Sequence, residues 1–206
     1  MGDRSKSEWE VLQRVDNGST RFLGNEIWQI RHPSYPKEKV DDYSIQLGND
    51  YVQVAGLTDE GLAVLVVQDR VANGPSLEVI AGGIDEEQTP REAALAEFED
   101  ESGWVAEELI SFGTRVPQTD RIVSRTKGNN GAKRCHMFFA PKLSVGHQNL
   151  GPTEKIEPIL IPWQVAVFAA RTGEVIKEIG LPIEDLGSCL VLIYSDEIVK
   201  ARHLLK

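Results

Sequence analysis

The stretch "AGGIDEEQTPREAALAEFEDESGW", residues 81–104, decides the fold of this chain. It opens on a glycine-rich turn and then carries strong helix signals at both ends. Thr89 is an N-cap candidate, Pro90 follows at the first helical position, and Glu92 completes a capping box with Thr89. Gly103 is typical of a helix C-terminus. We therefore predict one helix between these two signals.

Three carboxylates of this predicted helix share one face. At about 100° per residue, Glu97 and Glu101 lie roughly 40° apart, and Asp100 lies roughly 60° to the other side of Glu97. Like charges four residues apart destabilise an isolated helix, so the cluster either faces solvent or is neutralised. Mg²⁺ takes carboxylate oxygens, and a glycine turn lets backbone approach closely. The residues alone leave both interpretations open.

The composition excludes several classes of protein. A net charge of -10 over 206 residues opposes a broad nucleic-acid surface, which needs clustered Lys and Arg. No apolar run approaches the length of a membrane span, and the N-terminus lacks an apolar signal core. Cys135 and Cys189 have neither disulfide-framework nor zinc spacing, which favours reduced thiols. We expect a cytoplasmic protein with no nucleic-acid or membrane partner.

The stretch also resembles the Nudix box. That pattern is Gly, five residues, Glu, seven residues, then Arg-Glu-apolar-any-Glu-Glu-any-Gly-apolar. Without gaps, its positions fall on Gly82, Glu97, Phe98, Asp100, Glu101, Gly103 and Trp104. Gln88 replaces the first Glu, Ala96 replaces the Arg, and Asp100 is a conservative change.

The flanking sequence resembles the ADP-ribose and sugar-nucleotide pyrophosphatase branch of that family. The segment "VVQDRVANGPSLEVIAGGID" is similar to its Gln-aromatic-Arg and Glu-apolar-Pro-Ala-Gly signature, with matches at Gln68, Arg70, Glu78, Ala81 and Gly82. Further on, "MFFAPKL" and "EKIEPILIP" are similar to a later strand and to a Glu-any-any-Glu loop of the branch. The likeness covers most of residues 8–180.

This resemblance, together with the mixture of strands and a few helices, predicts the fold class. We expect an α/β protein: a Nudix α/β/α sandwich with a mixed sheet, plus a small N-terminal β appendage. The predicted boundaries are 1–50 for the appendage and 51–206 for the Nudix domain. The appendage resembles a dimerisation segment of the family, so we expect a homodimer.

The resemblance implies a metal site and a catalytic set. The implied metal ligands are Glu97, Glu101, Asp100 and the carbonyl of Ala81, and the cofactor is Mg²⁺, with Mn²⁺ as the alternative. Glu154 corresponds to the loop glutamate that serves as general base, with Glu157 as the fallback. For both, a plain surface carboxylate is the competing interpretation. The catalytic set is therefore Glu154, Glu101 and Glu157.

Four residues are candidates for binding a nucleotide sugar: Arg70, Glu78, Trp9 and Trp28. Arg70 can offer a fork of donors to a phosphate oxygen, while a structural ion pair with Glu78 is the competing interpretation. Trp9 and Trp28 fall near the aromatics that clamp adenine in this branch, while packing within a hairpin is the alternative.

The segment "RIVSRTKGNNGAKR", residues 121–134, contains five basic residues and no acidic residue. In an acidic chain such a segment could attract phosphate as a lid, or it could be a solvated loop.

Three functions remain open. The first is a Mg²⁺-dependent hydrolase that cleaves the pyrophosphate of a nucleoside diphosphate linked to a sugar, with ADP-ribose as the leading candidate. The second, motivated by Gln88 and Ala96, is a Nudix-fold protein that binds a nucleotide with weak or no turnover. The third is a purely structural subunit.

Overall fold

The computed structural model describes residues 10–19, 23–117 and 121–205. These residues form two compact units. The first lies within Met1–Asp50 and Gln118–Lys133, and the second lies within Tyr51–Pro117 and Arg134–Lys206.

A four-stranded sheet makes up most of the first unit. Its strands are β1 (Glu10–Ser19), β2 (Leu23–Arg31), β3 (Asp41–Gly48) and β9 (Ile122–Ser124), in the order β1-β2-β3-β9. The first three pair antiparallel, and β9 joins β3 in parallel. Within the predicted N-terminal β appendage, the described residues form β1, β2 and β3.

The basic segment after residue 120 is hydrogen-bonded into this first unit. The amide of Asn129 donates to both carboxylate oxygens of Asp50, at 3.1 and 3.0 Å, and Asn129 itself is buried. The Thr126 hydroxyl accepts from the backbone N–H of Asp50 at 2.6 Å. These contacts fix the "GNNG" turn locally. The sequence did not predict that this segment adds a strand to the N-terminal sheet.

A seven-stranded mixed sheet is the centre of the second unit. Its strands are β4 (Tyr51–Leu57), β5 (Leu62–Arg70), β6 (Gly74–Glu78), β7 (Ile80–Gly83), β8 (Trp104–Arg115), β10 (Cys135–Val145) and β11 (Ile156–Pro162). The main path is β11-β5-β4-β10-β8, with β6 paired to β5 and β7 paired to β4. Only β4 and β10 run parallel, which makes the sheet mixed.

Three helices cover the two faces of this sheet. They are α1 (Pro90–Ser102), α2 (Trp163–Thr172) and α3 (Leu186–Ala201). Successive residues of a strand point to opposite faces. Val64 and Val66 of β5 pack in a core with α1, while Ala63 and Leu65 pack in a second core with α2 and α3. The predicted α/β/α sandwich is confirmed.

The helix predicted from residues 81–104 is present with both of its caps. The Thr89 hydroxyl accepts from the backbone N–H of Glu92, and the Glu92 carboxylate accepts from the backbone N–H of Thr89 at 2.8 Å. Gly103 ends the helix with φ of 74°, a left-handed conformation that favours glycine. Among the described residues, no helix is long and apolar enough to cross a membrane.

Candidate active site

The carboxylate of Glu97 lies directly against the backbone of Gly82. A methyl group built at Gly82 would overlap the carboxylate atoms of Glu97. Gly82 belongs to β7 and Glu97 to α1, so the helix can approach this strand only where a side chain is missing. The φ of Gly82 does not lie in the left-handed region, so its backbone conformation does not require glycine. Glycine is required here because the Glu97 carboxylate occupies the space that a Cβ would fill.

Glu101 contacts the same short strand one residue earlier. Its Oε2 accepts a hydrogen bond of 3.2 Å from the backbone N–H of Ala81, and the residue is only 6% exposed. Burial raises the pKa of Glu101 to about 8. The Ala81 hydrogen bond and the charge of Arg70 act in the opposite direction, while Glu97 and Glu154 add to the rise. Glu97 and Glu101 thus converge on one dipeptide.

Three other carboxylates act electrostatically on Glu97. Burial, with smaller contributions from the charges of Glu154, Asp100 and Asp85, raises the pKa of Glu97 to about 7. Asp100 is half-buried, and Asp85 lies in the loop between β7 and α1. Three further acids around one half-buried carboxylate create an unneutralised negative site, which is the electrostatic requirement for a cation.

Glu154 belongs to this cluster, and Glu157 does not. Glu154 is exposed in the loop before β11, where its Oε2 accepts from the N–H of Gly151 at 2.7 Å. Its charge acts on both Glu97 and Glu101. Glu157 follows Ile156, which packs in the core beneath α1, so alternation along β11 turns Glu157 to the opposite face.

Arg70 pairs with Glu78, the alternative that the sequence left open. Its Nε donates to Glu78 Oε1 at 3.0 Å, and an Nη2 bond to the other oxygen makes the pair bidentate. The Arg70 side chain is 42% exposed against 8% for Glu78. A guanidinium has about five N–H donors, so this pair leaves donors for a phosphate oxygen. The pair also lines a cavity of about 600 Å³, together with Asn73, Ser76 and Asp185.

One of the two aromatic candidates is among the described residues. Trp28 lies in β2 of the first unit, half-buried, with the guanidinium of Arg14 at 4.2 Å from its ring and its Nε1 donating to Glu26 at 2.5 Å. These contacts lie within the β1–β2 hairpin, as expected if Trp28 packs there rather than stacking on a base. Trp9 lies outside the described residues.

The two positions that depart from the motif have different surroundings. The Gln88 side-chain oxygen accepts from the N–H of Asp85 at 3.2 Å, so it closes the turn before α1. Ala96 is exposed and has no group that could tie the helix to a loop. Arg91 instead ties the helix to the sheet, because its Nη1 donates to the carbonyl of Leu109 in β8 at 3.0 Å.

Sequence reasoning missed a partly buried chain of hydrogen bonds behind β7. Asp185 caps α3 and accepts from the Gln53 amide at 2.8 Å and from the N–H and hydroxyl of Ser188 at 2.7 and 2.8 Å. The Ser188 oxygen accepts in turn from the N–H of Val79 at 3.1 Å, two residues before Ala81. The spacing of Asp185 and Ser188 is an N-cap signal that the sequence did contain.

Comparison with known proteins identifies the family of this chain. The sequence model of the NUDIX domain matches residues 49–185. The chain belongs to the NUDIX domain family. A curated relative, the ADP-ribose pyrophosphatase of Bacillus subtilis (strain 168), is 29% identical over 130 residues, which is 60% of this chain. The match spans 64% of that relative, less than two thirds of its length.

A solved structure of a protein described as an ADP compounds hydrolase has the same fold. It superposes with a TM-score of 0.70 at 14% identity, over 98% of this chain and 100% of the other. At that identity the likeness concerns the NUDIX fold alone.

The donors of this NUDIX site fit a hard cation. In the described part of the chain, no group of three or more His, Cys, Asp or Glu residues is placed to hold a metal. Two carboxylates nevertheless meet at Ala81 and Gly82. Mg²⁺ keeps several waters and usually takes one or two carboxylates plus substrate phosphates, so it needs no all-protein cage.

We expect Gly82→Ala to disrupt the site while the fold remains. The added methyl displaces the Glu97 carboxylate, and Mg²⁺ affinity measured by calorimetry falls about 10-fold or more. Gly83→Ala is the matched control, because no heavy atom of the described residues beyond Gly83 and its two chain neighbours lies within 4 Å of the added methyl. Equal Mg²⁺ affinity in the two variants would contradict this account.

We also expect the metal-free protein to lose stability as the pH rises. The pKa values of Glu97 and Glu101 are raised from 4.5 to about 7 and about 8, so the folded state holds protons that the unfolded state releases in that window. Thermal melts in chelator from about pH 5 to about pH 9 should show a falling midpoint. Glu101→Gln should flatten the fall, and the exposed Glu86→Gln should not. A flat wild-type profile would refute the burial of these charges.

Proposed function

We propose that this NUDIX protein hydrolyses the pyrophosphate bond of a nucleoside diphosphate linked to a sugar, with ADP-ribose as the leading candidate. The products are a nucleoside monophosphate and a sugar phosphate. The observation that carries the proposal is the convergence of Glu97 and Glu101 on the backbone of Ala81 and Gly82, beside Arg70 and Glu154. The name of the Bacillus relative supports the choice of ADP-ribose.

The carboxylates of α1 would hold Mg²⁺. Glu97 and Glu101 are the main ligands in this proposal, Asp100 contributes to a second ion, and the carbonyl of Ala81 contributes an oxygen. When bound, the ion supplies positive charge that neutralises the diphosphate and polarises its phosphorus–oxygen bonds. Mn²⁺ has the same preference for oxygen donors and could replace Mg²⁺.

Glu154 is the base in this proposal. It is exposed to solvent, it acts electrostatically on Glu97 and Glu101, and its loop holds its carboxylate through Gly151. It takes one proton from the attacking water as the water oxygen bonds to phosphorus and the bridging oxygen leaves with the other phosphate. Glu157, the fallback candidate for the base, is the weaker choice because it lies on the opposite face of β11.

Arg70 binds the diphosphate in this proposal. Glu78 is nearly buried and fixes the plane of the guanidinium through two hydrogen bonds, which leaves the exposed edge of Arg70 oriented for an anion. The positive charge of Arg70 acts on Glu101 and lowers its pKa. In this proposal the phosphate would therefore lie between the Arg70 side chain and the acidic cluster. We retain Trp9 and Trp28 as candidates for stacking the base.

A second function is favoured by the surroundings of Ala96. This exposed residue has no donor where the family pattern has an Arg, so α1 lacks one tie to its loop. A protein that binds a nucleotide with weak or no turnover would follow if the remaining ties do not compensate. Calorimetry that shows micromolar binding of a ligand that stays intact for hours would favour this function.

The decisive experiment is a substrate panel with purified full-length protein and Mg²⁺. We expect cleavage of ADP-ribose in preference to ADP-glucose, GDP-mannose, NADH and dinucleoside polyphosphates. Glu101→Gln should lower the rate about 100-fold or more, because it removes a metal ligand, and Ala96→Arg should raise it by restoring a tie. No monophosphate product from any compound at high protein concentration would refute hydrolysis.

We further propose that the protein is a homodimer formed through its N-terminal sheet. β1 is an edge strand, and its Val11, Leu12 and Val15 are 38%, 46% and 46% exposed. An exposed apolar edge strand is a template for pairing with another chain. We expect light scattering to give twice the mass of the chain, and Val15→Lys to shift the mass toward one chain. A monomeric wild-type mass would contradict the proposal.

A further inference from the structure

The C-terminal end of α1 is closed by a segment from elsewhere in the second unit. A helix leaves its last four carbonyls without helical partners. Here the Asp100 carbonyl accepts from the N–H of Asn149 at 2.9 Å, and the Gly103 carbonyl accepts from the N–H of Gly146 at 2.9 Å. Residues 146–149 therefore run across the end of the helix that carries Glu97 and Glu101.

One side chain takes part in this closure. The Nε2 of Gln148 donates to the carbonyl of Glu101 at 2.8 Å and also to the carbonyl of Ile156 at 3.3 Å. Glu101 lies in the last turn of α1, and Ile156 is the first residue of β11. A single amide thus joins the carboxylate helix to the strand that follows the Glu154 loop.

This bridge fixes both ends of the loop 149–155. Asn149 is held by α1, and Ile156 is held by Gln148 and by its place in the sheet. Between them, the N–H of Glu154 donates to the carbonyl of Gly151 at 3.1 Å, and the N–H of Gly151 donates to the Glu154 carboxylate at 2.7 Å. The loop has little freedom to move Glu154 away from the helix.

We infer that Gln148 is a positioning residue that holds the Glu154 loop against the helix of Glu97 and Glu101. The inference rests on the proposed function, because it assigns Gln148 a purpose in the reaction that Glu154 serves. A displacement of about 1 Å can cost about 100-fold in rate, so one lost amide bridge is enough to matter. Gln148 itself is exposed, so its removal leaves no buried cavity.

The test uses the full chain with Mg²⁺ and the best substrate of the panel. Gln148→Met keeps the length of the side chain and removes both donors, so kcat should fall about 10- to 100-fold while KM and Mg²⁺ affinity change less than about twofold. Gln148→His retains one N–H donor at neutral or higher pH and should recover part of kcat. His147→Ala is the control, because its side chain donates none of these hydrogen bonds.

A double variant separates positioning from a general structural effect. If Gln148 acts through Glu154, Gln148→Met should cause no further loss of kcat in a Glu154→Gln background. Equal losses in the two backgrounds, or a joint fall of kcat and Mg²⁺ affinity with the melting temperature, would overturn the inference.

Hydrogen exchange decides the inference without reference to activity. Gln148→Met should speed exchange in residues 149–155 while exchange within α1 stays unchanged. Unchanged exchange in that loop would overturn the inference even if the enzyme is active. Should the wild-type protein cleave no diphosphate, the proposed function fails, and the exchange measurement alone decides whether Gln148 fixes the loop.

Discussion

The site depends on the contact between a carboxylate and a glycine. Glu97 can reach the strand at Gly82 only because no Cβ stands there, and this approach brings Glu101 within hydrogen-bonding distance of the preceding backbone N–H, that of Ala81. Burial in this arrangement disfavours the charged form of both glutamates and raises their pKa values. In the proposed function a bound cation neutralises these acids, so the same acids that destabilise the metal-free site would give it affinity for metal.

The helix that carries these glutamates is fixed on three sides. Phe98 is fully buried beneath it and lies so close to Gly56 of β4 that a methyl group there would overlap its ring. The capping box holds the N-terminus, and Arg91 ties the first turn to β8. Because packing and hydrogen bonds fix the helix, the repulsion between Glu97 and Glu101 cannot be relieved by rotating it.

The backbone opposite the helix is fixed as well. β7 pairs with β4, and the hydrogen-bond chain from Asp185 through Ser188 holds the N–H of Val79, which lies just before β7. Asp185 is half-buried and accepts hydrogen bonds from several donors at once, which compensates for its partial removal from water. The NUDIX site therefore has two walls whose backbone is held by hydrogen bonds, one helical and one from the sheet, and the carboxylates of Glu97 and Glu101 lie between them.

The sequence by itself determined what depends on neighbouring residues. Thr89, Glu92 and Gly103 specified the helix because capping acts over three or four residues, and the spacing of Glu97 and Glu101 specified their shared face because helical geometry is periodic. The resemblance around Gly82 added the NUDIX fold, since that motif is itself local. The chemical character of the acidic cluster was likewise predictable.

Only the tertiary structure decided which distant groups join that cluster. Glu154 and Glu157 lie three residues apart, and the direction of β11 separates them. Gln148 contacts a carbonyl 47 residues away, and Gln53 meets Asp185 across 132 residues, so no local pattern could reveal either pair. The segment after residue 120 adds a strand to the N-terminal sheet for the same reason, because strand pairing between distant segments depends on the fold rather than on either sequence alone.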